Sequence, residues 1–151
     1  IESSSVDAVF SSHNIEHLYP HEVGLAMGEF FRVLKSDGIV VLTCPDIQSV
    51  CELVAQDKLT DTAYVSPAGP IAPIDILYGH RASMQNGNLY MAHKCGFTQK
   101  VLVATIQSAG FKRVASMSRK SPYFDLWAIA TKTEKTDNEL RAFTKEHFPA
   151  K

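Results

Sequence analysis

A chain of 151 residues that is 45% hydrophobic and 21% charged is long enough to bury one sizeable core and has the composition of an ordinary globular domain. Its formal net charge of −1 leaves no electrostatic footprint for nucleic acid or an acidic membrane. No apolar run approaches the roughly 20 residues of a bilayer span, and the first residues carry no basic-then-apolar signal pattern.

In chain order, residues 6–10 (VDAVF) form a short apolar run expected as a strand. Ser11, Ser12, His13, Asn14, Glu16 and His17 follow and make the densest group of polar, titratable side chains in the sequence. Pro20 and Glu22 suit the start of a helix. Val23, Ala26, Met27, Phe30, Phe31 and Leu34 supply its buried stripe at i, i+3, i+4, i+7 spacing. Lys35-Ser36-Asp37-Gly38 should stop it, with Gly38 expected at the positive φ of a tight turn. Residues 39–43 are apolar without alternation, as in a central strand covered on both faces, and Pro45 ends the ladder. Strand, helix and strand make a parallel β-α-β unit. Open α/β sheets bind ligands outside the carboxyl ends of their strands, which is where residues 11–17 fall.

Asp46 is the expected N-cap of a helix burying Ile47, Val50, Cys51 and Val54. From residue 60 to 73 the pattern dissolves, punctuated by Pro67, Gly69, Pro70 and Pro73. A short helix is expected at 74–78 and a turn at Asn86-Gly87-Asn88. So long an excursion between strands is uncommon unless it is functional or mobile. Thr98 should cap a helix that buries Val101, Leu102, Thr105, Ile106 and Ala109 and ends at Gly110. Residues 111–117 and 123–131 read as an antiparallel hairpin turning at Lys120-Ser121-Pro122. Residues 134–151 are charged, with Asp137 a candidate cap for a short helix holding Leu140 and Phe143 on one side; this tail is expected to pack loosely or not at all against a domain of residues 1–133. Cys44, Cys51 and Cys95, without C-x-x-C, are expected as reduced thiols of a cytoplasmic protein.

The succession VDAVFSSHNIEHL, EFFRVLKSDG, IVVLTCPD and HKCGFTQKVLVATIQSAGF resembles the second half of a class I S-adenosylmethionine-dependent methyltransferase, over roughly residues 5–133. The resemblance implies a Rossmann-like α/β fold, truncated, with a mostly parallel sheet ending in an antiparallel hairpin. It implies S-adenosyl-L-methionine as cofactor and an unknown methyl acceptor, a small molecule or a macromolecule. It sets Ser12, His13 and Asn14 beside the cofactor's methionine end, and His17 against the loop or the substrate. The family's glycine-rich loop and acidic ribose-binding strand end have no counterpart here, and no two glycines are spaced G-x-G. The expectation is a C-terminal fragment without the main cofactor cradle, binding cofactor weakly and showing little or no activity.

Residues His13 to His17 also match H-x-x-E-H, the inverted zinc-protease spacing. That motif needs a long helix to present both imidazoles to one ion, whereas a strand precedes it here and Pro20 cuts it short. A further ligand would have to come from the unpatterned middle of the chain. No metal ligand is therefore expected, and a zinc-dependent hydrolase is the least favoured function. The plainer role for His17 is a partly buried histidine fixing the strand-to-helix turn, with His13 and Glu16 solvated. Tyr78, His80, Tyr90 and His93 form a second group, expected either to shape a substrate pocket or to anchor the long segment. Methyl transfer depends on alignment more than on a particular acid or base, so no catalytic residue is named. The alternative to an enzyme is a non-catalytic dimerising module. Without its family neighbour the strand from Val6 to Phe10 is an edge whose only charge is Asp7, and uncovered sheet faces would add apolar surface, so a two-fold homodimer is expected through either.

Overall fold

The first strand, β1, spans Val6–Ser12, the first helix, α1, Pro20–Val33, and the second strand, β2, Leu34–Pro45. β1 and β2 run parallel, with Ala8 opposite Ile39 and Ser12 opposite Thr43. α1 starts where Pro20 needs no amide partner and where the Glu22 carboxylate accepts from the Tyr19 amide at 2.8 Å. Val23 and Met27 on its inner face are buried against the sheet. The computed structural model describes residues 1–149, and it continues with α2 (Ile47–Val54), a small hairpin of β3 (Tyr64–Ser66) and β4 (Gly69–Ile71), α3 (Pro73–Tyr78), α4 (Arg81–Gln85), α5 (Gln99–Ser108), β5 (Arg113–Arg119), β6 (Asp125–Thr131) and α6 (Asp137–His147).

The main sheet has the order β1-β2-β6-β5. β6 returns between β2 and β5 and is antiparallel to both, so the sheet is mixed and its parallel part is the β1/β2 pair. β2 is central, and its alternation sorts two cores. Val40, Leu42 and Cys44 meet α1 and α5 residues Met27, Leu102 and Ile106 on one face. Ile39 and Val41 meet Ile129 and Leu140 on the other. This explains the unbroken apolar run, since neither face of the strand reaches water. No helix among the described residues is long and apolar enough to cross a membrane.

Several expectations need correction. Gly38 has no positive φ; the positive-φ glycines among the described residues are Gly69, Gly79, Gly87 and Gly110. β2 starts directly at Leu34 and passes a register irregularity against β1, so no tight turn is made there. Gly38 is instead a matter of space, because a Cβ would lie 2.9 Å from Leu34 Cδ2 and 3.0 Å from the Asp7 carbonyl oxygen. Val101 is exposed, since the face of α5 that meets the sheet is carried by Leu102 and Ile106. The hairpin strands start two residues later than their apolar patterns, because Phe111 packs edge-on against Phe31 and Phe124 takes φ +52. The tail does not hang loose: α6, capped by Thr136, lays Leu140, Phe143 and Phe148 on the outer face of β2 and β6, while residues 150 and 151 of the tail lie outside the described residues. The excursion of residues 60–93 contains regular elements, and its Ile71 and Ile76 form a small core with Val50 of α2 and Phe124.

Candidate functional site

The carboxyl ends of β1 and β2 are tied by a hydrogen bond between Ser12 Oγ and Thr43 Oγ1 at 2.9 Å. The His13 amide donates to the Thr43 carbonyl at 2.9 Å, and His13 then takes φ +46, turning the chain sharply off the sheet. One 3-10 turn, Ile15–His17, follows before Pro20 starts α1. That turn buries Ile15 and Glu16 together, so Glu16, expected in solvent, is 1% exposed. Tight local curvature, which an apolar-pattern reading does not register, rotates its carboxylate inward.

Residues 92–95 return and are stitched to this turn. The amides of Lys94 and Cys95 both donate to the Glu16 carbonyl, at 2.8 and 3.2 Å. His17 Nδ1 donates to the Ala92 carbonyl at 3.1 Å, and His93 Nδ1 to the Ile76 carbonyl at 2.8 Å. The two rings meet edge to face with centroids 4.8 Å apart. Between this wall, Pro45 at the end of β2 and the excursion lies a cavity of about 370 Å³. His13, Glu16, His17, His80 and His93 line it together with Tyr64 and Ile76.

Electrostatics differ along the wall. His13 Nδ1 is 3.3 Å from Glu16 Oε1, an ion-pair contact when the imidazole is protonated. The carboxylate beside it holds the His13 imidazole above its ordinary value against the opposing effect of burial. Burial pushes His93 below its ordinary value. Asp75, also in the cavity lining, accepts from Arg81 Nε at 2.6 Å and Nη2 at 3.1 Å and from the Ala72 amide at 3.0 Å. The guanidinium is the main reason its carboxyl is pushed down to about 2.

Of the residues singled out from the sequence, His13, His17, His80 and His93 are brought together around the cavity. Ser12 and Asn14 are exposed beside it at the end of β1. Tyr78 and Tyr90 are exposed and lie outside its lining. Glu16, Tyr64, Asp75 and Phe124 were missed as lining residues. Glu16 alone carried a signal, its place in H-x-x-E-H; Tyr64 and Asp75 depend on how the excursion folds, and Phe124 on the turn that leads into β6.

Residues 1–42 match the sequence model of a family described as "Methyltransferase domain". In three dimensions the chain is similar to the 1,6-didemethyltoxoflavin-N1-methyltransferase of Burkholderia thailandensis, solved with 1,6-didemethyltoxoflavin and S-adenosylhomocysteine bound, at 17% identity and TM-score 0.55 over 89% of this chain and 47% of that one. A SAM-dependent methyltransferase of Methanosarcina mazei gives 18% identity and TM-score 0.54 over 89% and 63%. Another, of Thermotoga maritima, gives 16% identity and TM-score 0.53 over 88% and 58%. The fold is that of the class I S-adenosylmethionine-dependent methyltransferases. No curated protein sequence matches the chain. Its methyltransferase fold spans roughly half the length of the solved structures it matches. Within it, the cavity sits at the carboxyl ends of β1 and β2, the side on which open α/β sheets bind ligands.

Proposed function

We propose that this chain is the acceptor-side part of an S-adenosylmethionine-dependent methyltransferase that acts on a small molecule. The observation that carries the reading is the cavity at the carboxyl ends of β1 and β2 in a class I methyltransferase fold. A volume of about 370 Å³ is near the low end for small-ligand sites, which favours a compact acceptor over a macromolecular one. Ser12, His13 and Asn14 present a hydroxyl, an imidazole and an amide at the exposed strand end, a polar set that fits the charged methionine end of the cofactor. The cofactor, when bound, supplies an electrophilic methyl group on a sulfonium. The chain's own part is orientation: apolar Ile71, Ile76 and Phe124 exclude water, and His17, His80 and His93 offer polar contacts that fix the acceptor. No G-x-G loop occurs in the 151 residues, so cofactor affinity in this chain is weak. Three free thiols, Cys44 buried, Cys51 exposed and Cys95 half-buried, support the reduced, cytoplasmic setting.

Nuclear magnetic resonance of the labelled chain tests this. Titration with S-adenosylmethionine should shift the amides of Ser12, His13 and Asn14 selectively, with a dissociation constant no tighter than roughly a millimolar. No shift at several millimolar would sink the cofactor placement, and low-micromolar affinity would sink the weak-cradle argument.

A dimerising role is favoured by one separate observation. β1 is an edge of the sheet, and Phe10 on it is 66% exposed. α6 covers the outer face over β2 and β6, so the strand edge rather than a bare face is the contact we propose for a second copy. Light scattering that returns a monomer at tens of micromolar, unchanged by Phe10→Lys, rules this out.

A further inference from the structure

We infer that Glu16, His17 and His93 form a divalent-cation site in the wall of the cavity. One potential ligand atom from each lies within 4.8 Å of the others. The imidazoles are held for such a role. Each Nδ1 sits at hydrogen-bond distance from a backbone carbonyl, Ala92 for His17 and Ile76 for His93. A carbonyl only accepts, so each Nδ1 carries the proton and each Nε2 keeps its lone pair. Anchoring of Nδ1–H by a carbonyl is the outer-shell arrangement that orients ligating histidines.

The carboxylate is the independent sign. The Glu16 side chain is 1% exposed, lines the cavity, and has no hydrogen-bond partner on either oxygen among the described residues. Its one charge contact is the half-exposed His13 imidazole, 3.3 Å from Oε1; a buried carboxylate without a hydrogen-bond donor is costly, and a cation bound by the same oxygens offsets that cost. H-x-x-E-H needs a further ligand; the fold brings one, His93, from far along the chain, and the set that results uses His17 and Glu16 but not His13. Two imidazoles and one carboxylate suit zinc and other first-row divalent ions better than calcium or magnesium, and three protein ligands leave a position open. That position faces the cavity, where it would take an oxygen donor, water or an acceptor hydroxyl. The acceptor's part rests on the methyl-transfer reading, whereas the site itself does not.

The chelator-treated chain, dialysed against Zn²⁺ and submitted to elemental analysis, should return about one zinc per chain. His93→Asn and Glu16→Gln should weaken binding by at least about a hundredfold, while His80→Ala, which lines the same cavity outside the cluster, should bind as the unaltered chain does. Circular dichroism establishes that the variants are folded. Should a variant fail to fold, X-ray absorption of the zinc-loaded unaltered chain decides: two imidazole nitrogens at about 2.0–2.1 Å with an oxygen donor support the site. Sub-stoichiometric zinc at a hundred micromolar free metal, a sulfur ligand, fewer than two imidazoles, or full binding by folded His93→Asn each overturns it. None of these readouts depends on S-adenosylmethionine.

Discussion

Gly79→Ala should dismantle the cavity wall while leaving the main sheet folded. Gly79 ends α3 at φ +99, and a Cβ there would lie 1.9 Å from the Met91 carbonyl oxygen and 2.9 Å from Ala92 Cα. At φ +99 and ψ 159 the backbone is in a region held almost only by glycine, which costs alanine about 1–3 kcal/mol by itself, and backbone atoms cannot yield as a flexible side chain would. The segment that must move is the one whose Ala92 carbonyl holds His17 and whose His93 amide donates to the Tyr78 carbonyl at 3.1 Å. We expect a loss of roughly 3 kcal/mol or more, concentrated in residues 73–93. Hydrogen exchange should show that segment opening, and the zinc capacity proposed above should fall with it. Gly87→Ala is the control: its φ of +92 is also positive, but a Cβ there meets nothing within 4 Å. An unaltered exchange pattern in Gly79→Ala, or equal effects of the two substitutions, would contradict the close-approach argument.

Acid should loosen the same cover through Asp75. Its folded value near 2 lies below the ordinary 3.8, so the group contributes stability that is present above about pH 4 and is lost as pH falls through about 2. Its partner Arg81 has a half-exposed side chain, which screens the pair, but the carboxylate itself is buried and also receives the buried Ala72 amide. Asp75→Asn should therefore cost about 2 kcal/mol at neutral pH and abolish the acid-dependent part of the opening between roughly pH 4 and 2. The methyl resonances of Met84 and Met91 report the cover directly. If they keep their neutral-pH positions down to pH 2, or if Asp75→Asn opens with the unaltered pH dependence, the ion pair does not hold the cover.

The sequence by itself determined the frame. The apolar run of residues 39–43 is legible because β2 is covered on both faces, and α1 because Val23 and Met27 recur on one face behind a proline start. Asp46 and Thr98 were legible as caps because a single side chain satisfies orphan amides within three residues, as Asp46 does for Gln48 and Thr98 for Val101. Each is a local relation, complete within one or two helical turns.

What only the tertiary structure decided is long-range. Whether α6 covers the sheet depends on an outer face formed by Ile39, Val41 and Ile129, strands apart in sequence. Whether Val101 or Leu102 turns inward depends on how α5 meets β5, and Gly38 is constrained by an Asp7 carbonyl from another strand rather than by its own turn. The site shows the same division. H-x-x-E-H places a glutamate and a histidine on one short turn, but burying the carboxylate required the left-handed backbone at His13 and the returning strap of residues 92–95. His93 joined them because Gly79 lets that strap approach α3 closely. Hydrophobic periodicity encodes which face of an element is buried; it carries nothing about which distant polar groups that burial brings together.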